Sequence, residues 1–246
     1  MSGHNVADEI NMSIQSYGSQ SEEARIQGVY AGRHDDQRNS WFRAGHLFMI
    51  QSRERRLLGI LEKYRLSSLG HVSILEVGCG TGYWLRQFIN WGMQPENIHG
   101  VDLVEERISE ARRLCPNTVH LTCGSAAKLD YTDNQFDLVL QSTVLTSVLD
   151  QDMQAQIASE MLRVVKVGGA IIWYDFHVNN PRNSNVRGVN KKEIRKLFPN
   201  CELQLHRVTL APPIARMLAP VSWVACSLLE YTKIFNTHYL GIIQRS

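Results

Sequence analysis

Long apolar runs are missing from this chain. The most apolar stretch without a charge, Met217 to Leu229, has 13 residues and contains Pro220, too short to span a bilayer. Cysteines are few, and Cys79, Cys115, Cys123, Cys201 and Cys226 never fall at C-x-x-C spacing. That scatter excludes a disulfide framework and a thiolate zinc site, and fits reduced thiols in a cytoplasmic compartment. A basic start followed by an apolar segment is also absent, so no secretory signal is expected. Charge of one sign is lacking too: 26 basic and 24 acidic residues leave +2, which argues neither for nor against nucleic acid. Low-complexity tracts and internal repeats are absent, which removes fibrous and solenoid architectures. With 246 residues, 43% of them hydrophobic, the chain is long enough to bury one sizeable core.

What is present concentrates at Ile74 to Leu85, ILEVGCGTGYWL. An apolar strand around Glu76 runs into Gly78, Gly80 and Gly82, and an amphipathic helix follows. Glycines there let a ligand approach the backbone, and the helix start presents free N–H groups. Twenty residues after Gly82 a second strand ends in Asp102, where an acid in a βαβ unit accepts hydrogen bonds from ribose hydroxyls. The pair points to an adenosine-type cofactor. Its spacing is G-x-G-x-G, with Tyr83 where a dinucleotide fingerprint continues to a third glycine.

Glu76, Gly78, Gly80 and Gly82 resemble, position by position, the E/D-x-G-x-G-x-G motif of class I S-adenosylmethionine-dependent methyltransferases. The resemblance covers about residues 70–245. It implies an α/β fold: a doubly wound, mostly parallel seven-stranded sheet with its last strand antiparallel between strands five and six. Period-two and period-3.6 patterns fit this: strands are expected at 73–77, 97–101, 119–122, 136–141, 170–174, 202–210 and 238–244. A helix bearing Ile50, Leu57, Leu58, Leu61 and Tyr64 precedes them, and a helix over 104–115 buries Ile108, Ala111 and Leu114. Asp150 and Asn190 are expected helix caps. Residues 1–40 form a polar arm without clear period; 41–246 form the methyltransferase domain, with a helical insertion at 211–231. Tyr17, Tyr30, Trp41 and Phe42 give the arm aromatics suited to a lid.

Further contacts follow from the resemblance. Ser125 and Ala126 occupy the turn that meets adenine in relatives, with Ser125 where they carry an acid. Leu103 lies against the adenine face, and Gln141 and Ser142 border the methionine end. Cys79, between the glycines, is a small filler of the same cofactor loop. For catalysis, His177 after strand five has the intrinsic pKa of a general base, and Asp175 orients it or acts alone. The [DN]-P-P-[YF] motif of base N-methyltransferases is missing after strand four, and Cys115-Pro116 is the reverse of a Pro-Cys nucleophile. Acids after strand four are lacking as well, so no metal is expected.

Arg182, Arg187, Lys191, Lys192, Arg195 and Lys196 read as a solvated helix face before a phosphate site. The apolar segment 211–231 reads first as an extra packed helical lid; it could also wall an acceptor pocket, form a homodimer face or rest on a membrane. The expected activity is O-methylation of a small molecule, a sugar hydroxyl first and a lipid-linked acceptor also open. RNA or protein methylation and a non-catalytic cofactor-binding subunit are the alternatives.

Overall fold

A computed structural model describes residues 21–31, 40–64 and 68–245. Of the polar arm, residues 1–20 (with Tyr17) and 32–39 lie outside the described residues. The remainder of it is not periodless: 21–31 is a helix, α1, with Glu22 and Ile26 buried and Tyr30 half-buried on one side. Their i, i+4, i+8 spacing is one helical face.

Helix α2 (Ala44–Lys63) leads into alternating elements: β1 (Ile74–Val77), α3 (Tyr83–Asn90), β2 (Ile98–Asp102), α4 (Glu105–Leu114), β3 (His120–Cys123) and β4 (Phe136–Ser142). Then come α5 (Gln151–Val164), β5 (Val165–Phe176), α6 (Lys191–Leu197), β6 (Cys201–Leu210), α7 (Pro212–Leu218), α8 (Trp223–Thr232) and β7 (Asn236–Arg245). The sheet order is β3-β2-β1-β4-β5-β7-β6. Pairs from β3 through β5 are parallel, and β7 runs antiparallel to both β5 and β6. The expected seven-stranded doubly wound fold is therefore the fold of this chain.

Alternation along each strand feeds two cores. Ile172 and Tyr174 join Leu57, Trp84 and Phe88 on the α2–α3 face. Ile171 and Trp173 join Ile157, Met161 and Ile194 on the α5–α6 face. Burying each such side chain contributes about 1.5–3 kcal/mol. Asp150 caps α5 by accepting from Met153 N at 2.8 Å, and Asn190 with Glu193 closes a capping box on α6. The insertion forms α7 and α8, whose Ala215, Ala219 and Cys226 pack on Phe48 of α2.

Two burial expectations fail. Leu58 and Leu114 are 40% and 44% exposed, because each lies at the border of its helix's apolar stripe. Lys166 to Gly169, ahead of the strand expected at 170–174, belongs to β5, where the register with β4 shifts between Phe136 and Leu138. The extra residues are taken up as a bulge around Gly168, whose φ is +77°.

Candidate functional site

β1 lies between β2 and β4, so the chain leaves β1 and β4 on opposite sides of a crevice. This is the switch point where open α/β sheets hold ligands at their carboxyl ends. The β1–α3 turn is left-handed at all three glycines: φ is +67° at Gly78, +54° at Gly80 and +75° at Gly82. At Gly78 a Cβ would run into the Val144 side chain, and at Gly82 it would come within 2.8 Å of Cys115 Sγ. Cys79 is buried beneath the turn, its sulfur facing Gly100 of β2. Burial, then the nearby Glu76, pushes its thiol pKa well up, which fits a filler rather than a nucleophile.

Asp102 ties the turn to β2. Its Oδ2 accepts from Gly80 N at 2.8 Å and its Oδ1 from Val104 N at 3.0 Å. A carboxylate offers about four acceptor positions, so ribose-binding capacity remains. Gly78, Asp102, Leu103, Ser125, Ala126 and Ser142 line one cavity of about 190 Å³. Ile26 and Tyr30 of α1, together with Thr143, Val144 and Arg107, complete its walls.

Just beneath, Glu76 is buried with Oε2 unpartnered, and Gln141 is buried with Nε2 unpartnered. Burial, then repulsion from Asp102, raises the Glu76 pKa well above the usual carboxylate range. Orphaned buried polar atoms are uncommon in proteins, and these two fit the polar end of an amino-acid-bearing cofactor.

The expected catalytic pair is not joined. Asp175 is wholly buried and works as a brace: its Oδ1 accepts from Thr146 Oγ1 at 2.5 Å and Phe176 N at 2.9 Å, and its Oδ2 from Thr146 N at 3.1 Å. Neither Asp175 nor His177 lines the cavity. His177 is half-buried beyond β5, with Nε2 donating to the Asn236 carbonyl at 3.0 Å and its ring 4.5 Å from that of Tyr239. Burial lowers its pKa. Within the basic cluster, Arg187 is spent internally on Glu193 and on Gln154, 3.1 Å away.

Two features escaped sequence reasoning. Thr143, β-branched yet at φ +60°, turns the chain at the end of β4. Its N–H donates to Tyr174 O at 2.8 Å and its carbonyl accepts from Ser147 Oγ at 3.1 Å. Such backbone costs about 1–3 kcal/mol and clusters at functional sites. Arg53 of α2 places its guanidinium 4.5 Å from the Trp84 ring centre, 4.9 Å from that of Tyr174 and 5.5 Å from that of Tyr83. Its Nε is buried and unpartnered, and its charge reaches Glu76. Of the arm expected as a lid, α1 lies over the cavity through Ile26 and Tyr30. Arg25 donates to Ser147 O at 2.7 Å, Glu22 accepts from Leu149 N at 2.5 Å, and Arg107 lies 4.3 Å from the Tyr30 ring centre.

Fold and site together define a doubly wound α/β protein with an adenosine-cofactor crevice. Residues 74–169 match the family model described as a methyltransferase domain. Demethylmenaquinone methyltransferase of Shouchella clausii is 35% identical over 107 residues, 41% of this chain and 43% of that protein. The 2-methyl-6-phytyl-1,4-hydroquinone methyltransferase of Synechocystis is 28% identical over 129 residues, 51% of this chain and 39% of that protein. The chain thus spans less than half the length of either. Geranyl diphosphate C-methyltransferase from Streptomyces coelicolor shares the fold at a TM-score of 0.62 and 12% identity, over 92% of this chain and 98% of that one. Residues 74–169 thus match a methyltransferase domain within a chain that has the fold of the class I S-adenosylmethionine-dependent methyltransferases, a class whose methyl donor is S-adenosylmethionine. Among the described residues, no helix is long and apolar enough to cross a membrane, and no His, Cys, Asp or Glu cluster suits a metal.

Proposed function

We propose that this chain transfers a methyl group from S-adenosylmethionine to a hydroxyl oxygen of a small, sugar or lipid-linked acceptor. One observation carries the reading: β1 and β4, which lead into the crevice lined by Gly78 and Ser142, hold two buried, partnerless polar atoms, on Glu76 and Gln141. Asp102 would hold the ribose hydroxyls, Leu103, Ser125 and Ala126 the adenine, and Gly78 to Gly82 the backbone-facing edge. Glu76 and Gln141 would hold the amino end and Arg53 the carboxylate. When bound, the cofactor supplies an activated methyl on its own leaving group.

The chain's remaining tasks are alignment and proton removal. Thr143, held in its unusual backbone by Tyr174 and Ser147, shapes the floor where β4 and β5 end. His177 is our candidate base: its Nε2–H is fixed on Asn236 O, leaving Nδ1 as the basic nitrogen. Burial favours the neutral, proton-accepting ring. Asp175 acts through Thr146 by bracing the β4–α5 connection.

Carbon methylation is the second reading, favoured by the names of the relatives. The test is incubation with deuteromethyl-labelled cofactor and panels of sugar, phenolic and prenylated acceptors, with products read by mass spectrometry and NMR. A labelled methoxy product is expected, while a labelled ring or chain methyl selects carbon. Asp102→Ala should weaken S-adenosylhomocysteine binding by about 1–3 kcal/mol. An unaffected variant overturns the assigned cofactor site.

A further inference from the structure

The insertion between β6 and β7 leaves an apolar face that its own core does not use. Val224, Leu228 and Tyr231 recur at i, i+4 and i+7 on α8, one stripe of the helix. With Met217, Val221 and Ile234 on its flanks, these residues are 64–82% exposed. Phe42, at the approach to α2, is 99% exposed. It lies near α7, since Gly45 packs against the Arg216 backbone. Monomeric proteins seldom leave so contiguous a set uncovered.

The charge around this face is of one sign. From Leu203 to Arg245 the sequence contains a single carboxylate, Glu230. That group turns inward, accepting from Ser52 Oγ at 2.5 Å and Thr209 N at 2.9 Å. Arg43, Arg207 and Lys233 are exposed and Arg216 is half-buried, with no ion pair formed by any of them among the described residues. Lys233 ends α8 in a left-handed conformation, φ +62°, directly beside the stripe. A second copy docked on the same face by two-fold symmetry would bring these cations together with no carboxylate to meet them. An anionic lipid surface answers both features: its headgroups take the cations and its acyl boundary takes the stripe.

We propose that the outer face of α8, with Met217, Val221 and Ile234, docks on an anionic phospholipid bilayer. Trp41, next to Phe42 in the sequence, has its ring 5.9 Å from that of Tyr83, the residue following the glycine turn. A docked bilayer therefore holds amphiphilic acceptors beside the crevice, a corollary that rests on the methyl-transfer reading, whereas the docking itself does not.

The experiment is co-sedimentation of the full chain with mixed phosphatidylcholine–phosphatidylglycerol vesicles and with pure phosphatidylcholine vesicles, alongside light scattering for oligomeric state. The chain should pellet with the anionic vesicles. Val224→Ser with Leu228→Ser should lower partitioning roughly tenfold or more, with melting and S-adenosylhomocysteine binding unchanged. Lys233→Gln should weaken binding to the anionic vesicles only. Protein that stays in the supernatant with anionic vesicles at physiological salt overturns the proposal. So does a wild-type dimer that the double serine variant dissociates, without vesicle binding in either. If vesicles bind while no acceptor is methylated, the functional reading fails and the docking face stands.

Discussion

Asp175→Asn should remove a pH-dependent penalty from the folded state. Burial pushes the Asp175 carboxyl from 3.8 up to about 7, against the hydrogen bonds it accepts from Thr146 and Phe176. A shift of about three units corresponds to ~4 kcal/mol at 1.36 kcal/mol per unit. Because the folded value is raised, the folded chain keeps a proton that the unfolded chain releases between the two values. Stability from this group is therefore full below the unfolded value and declines as pH climbs. The loss is complete above about 7. Glu22, Asp137, Glu160 and Glu193 sit below their ordinary values and act in the opposite sense, losing stability as pH falls. Only the difference between wild type and variant isolates Asp175.

Asparagine adds its own cost. Its amide nitrogen faces donors that the carboxylate accepted, an offset of about 1–3 kcal/mol that does not vary with pH. Urea unfolding in steps from about pH 4 to about pH 8 should then show the variant weaker in acid. The gap should close and reverse toward neutrality, changing by ~4 kcal/mol overall. A constant gap would refute the reasoning, for it would mean that the hydrogen bonds outweigh burial and keep Asp175 ionised throughout.

Three further outcomes are expected. Gly78→Ala places a Cβ against Val144 in a left-handed residue; it should cost at least about 1–2 kcal/mol and weaken S-adenosylhomocysteine binding by calorimetry, and unchanged affinity would remove the turn from the site. His177→Gln, which keeps a donor for Asn236 O, should cut turnover about 10²–10⁴-fold and erase an acidic limb lying below the ordinary histidine value; normal turnover would leave alignment alone to carry the reaction. Removing residues 1–31 strips away Arg25, Ile26 and Tyr30, so stopped-flow measurement should show faster cofactor release from an intact fold, and unchanged release would make α1 a passive cover.

Much of the fold was readable because the central strands are short, largely buried runs bounded by turns and the caps are local. Asp150 and Asn190 serve helices that begin right after them, and Glu76, Gly78 and Asp102 sit at spacings fixed by one βαβ unit. Functions decided by distant neighbours were not readable. Asp175 resembles a free carboxylate in sequence, yet Thr146, 29 residues away, consumes it. Arg53 stands in the charged run Arg53-Glu54-Arg55-Arg56, which suggests a solvated face, and only the packing of α2 against α3 and β5 turns it onto aromatic rings. The arm's aromatics suggested a lid, but its helix was hidden by polarity: its face consists of just Glu22, Ile26 and Tyr30, and Glu22 is an acid held by Arg25 and by the Leu149 backbone.

The position of β7 sets an order on the making of this molecule. β6 is synthesised before β7, yet its neighbour in the sheet is β7 alone, which separates it from β5. Until residues 236–245 leave the ribosome, β6 has no edge to join, and β5 presents its open side to any other extended segment. The first five strands, with the glycine turn and Asp102, can assemble earlier through parallel pairs already complete. The pairs that frame the cofactor crevice therefore do not depend on β7, whereas β6 and the α7–α8 insertion that follows it reach the sheet only through β7.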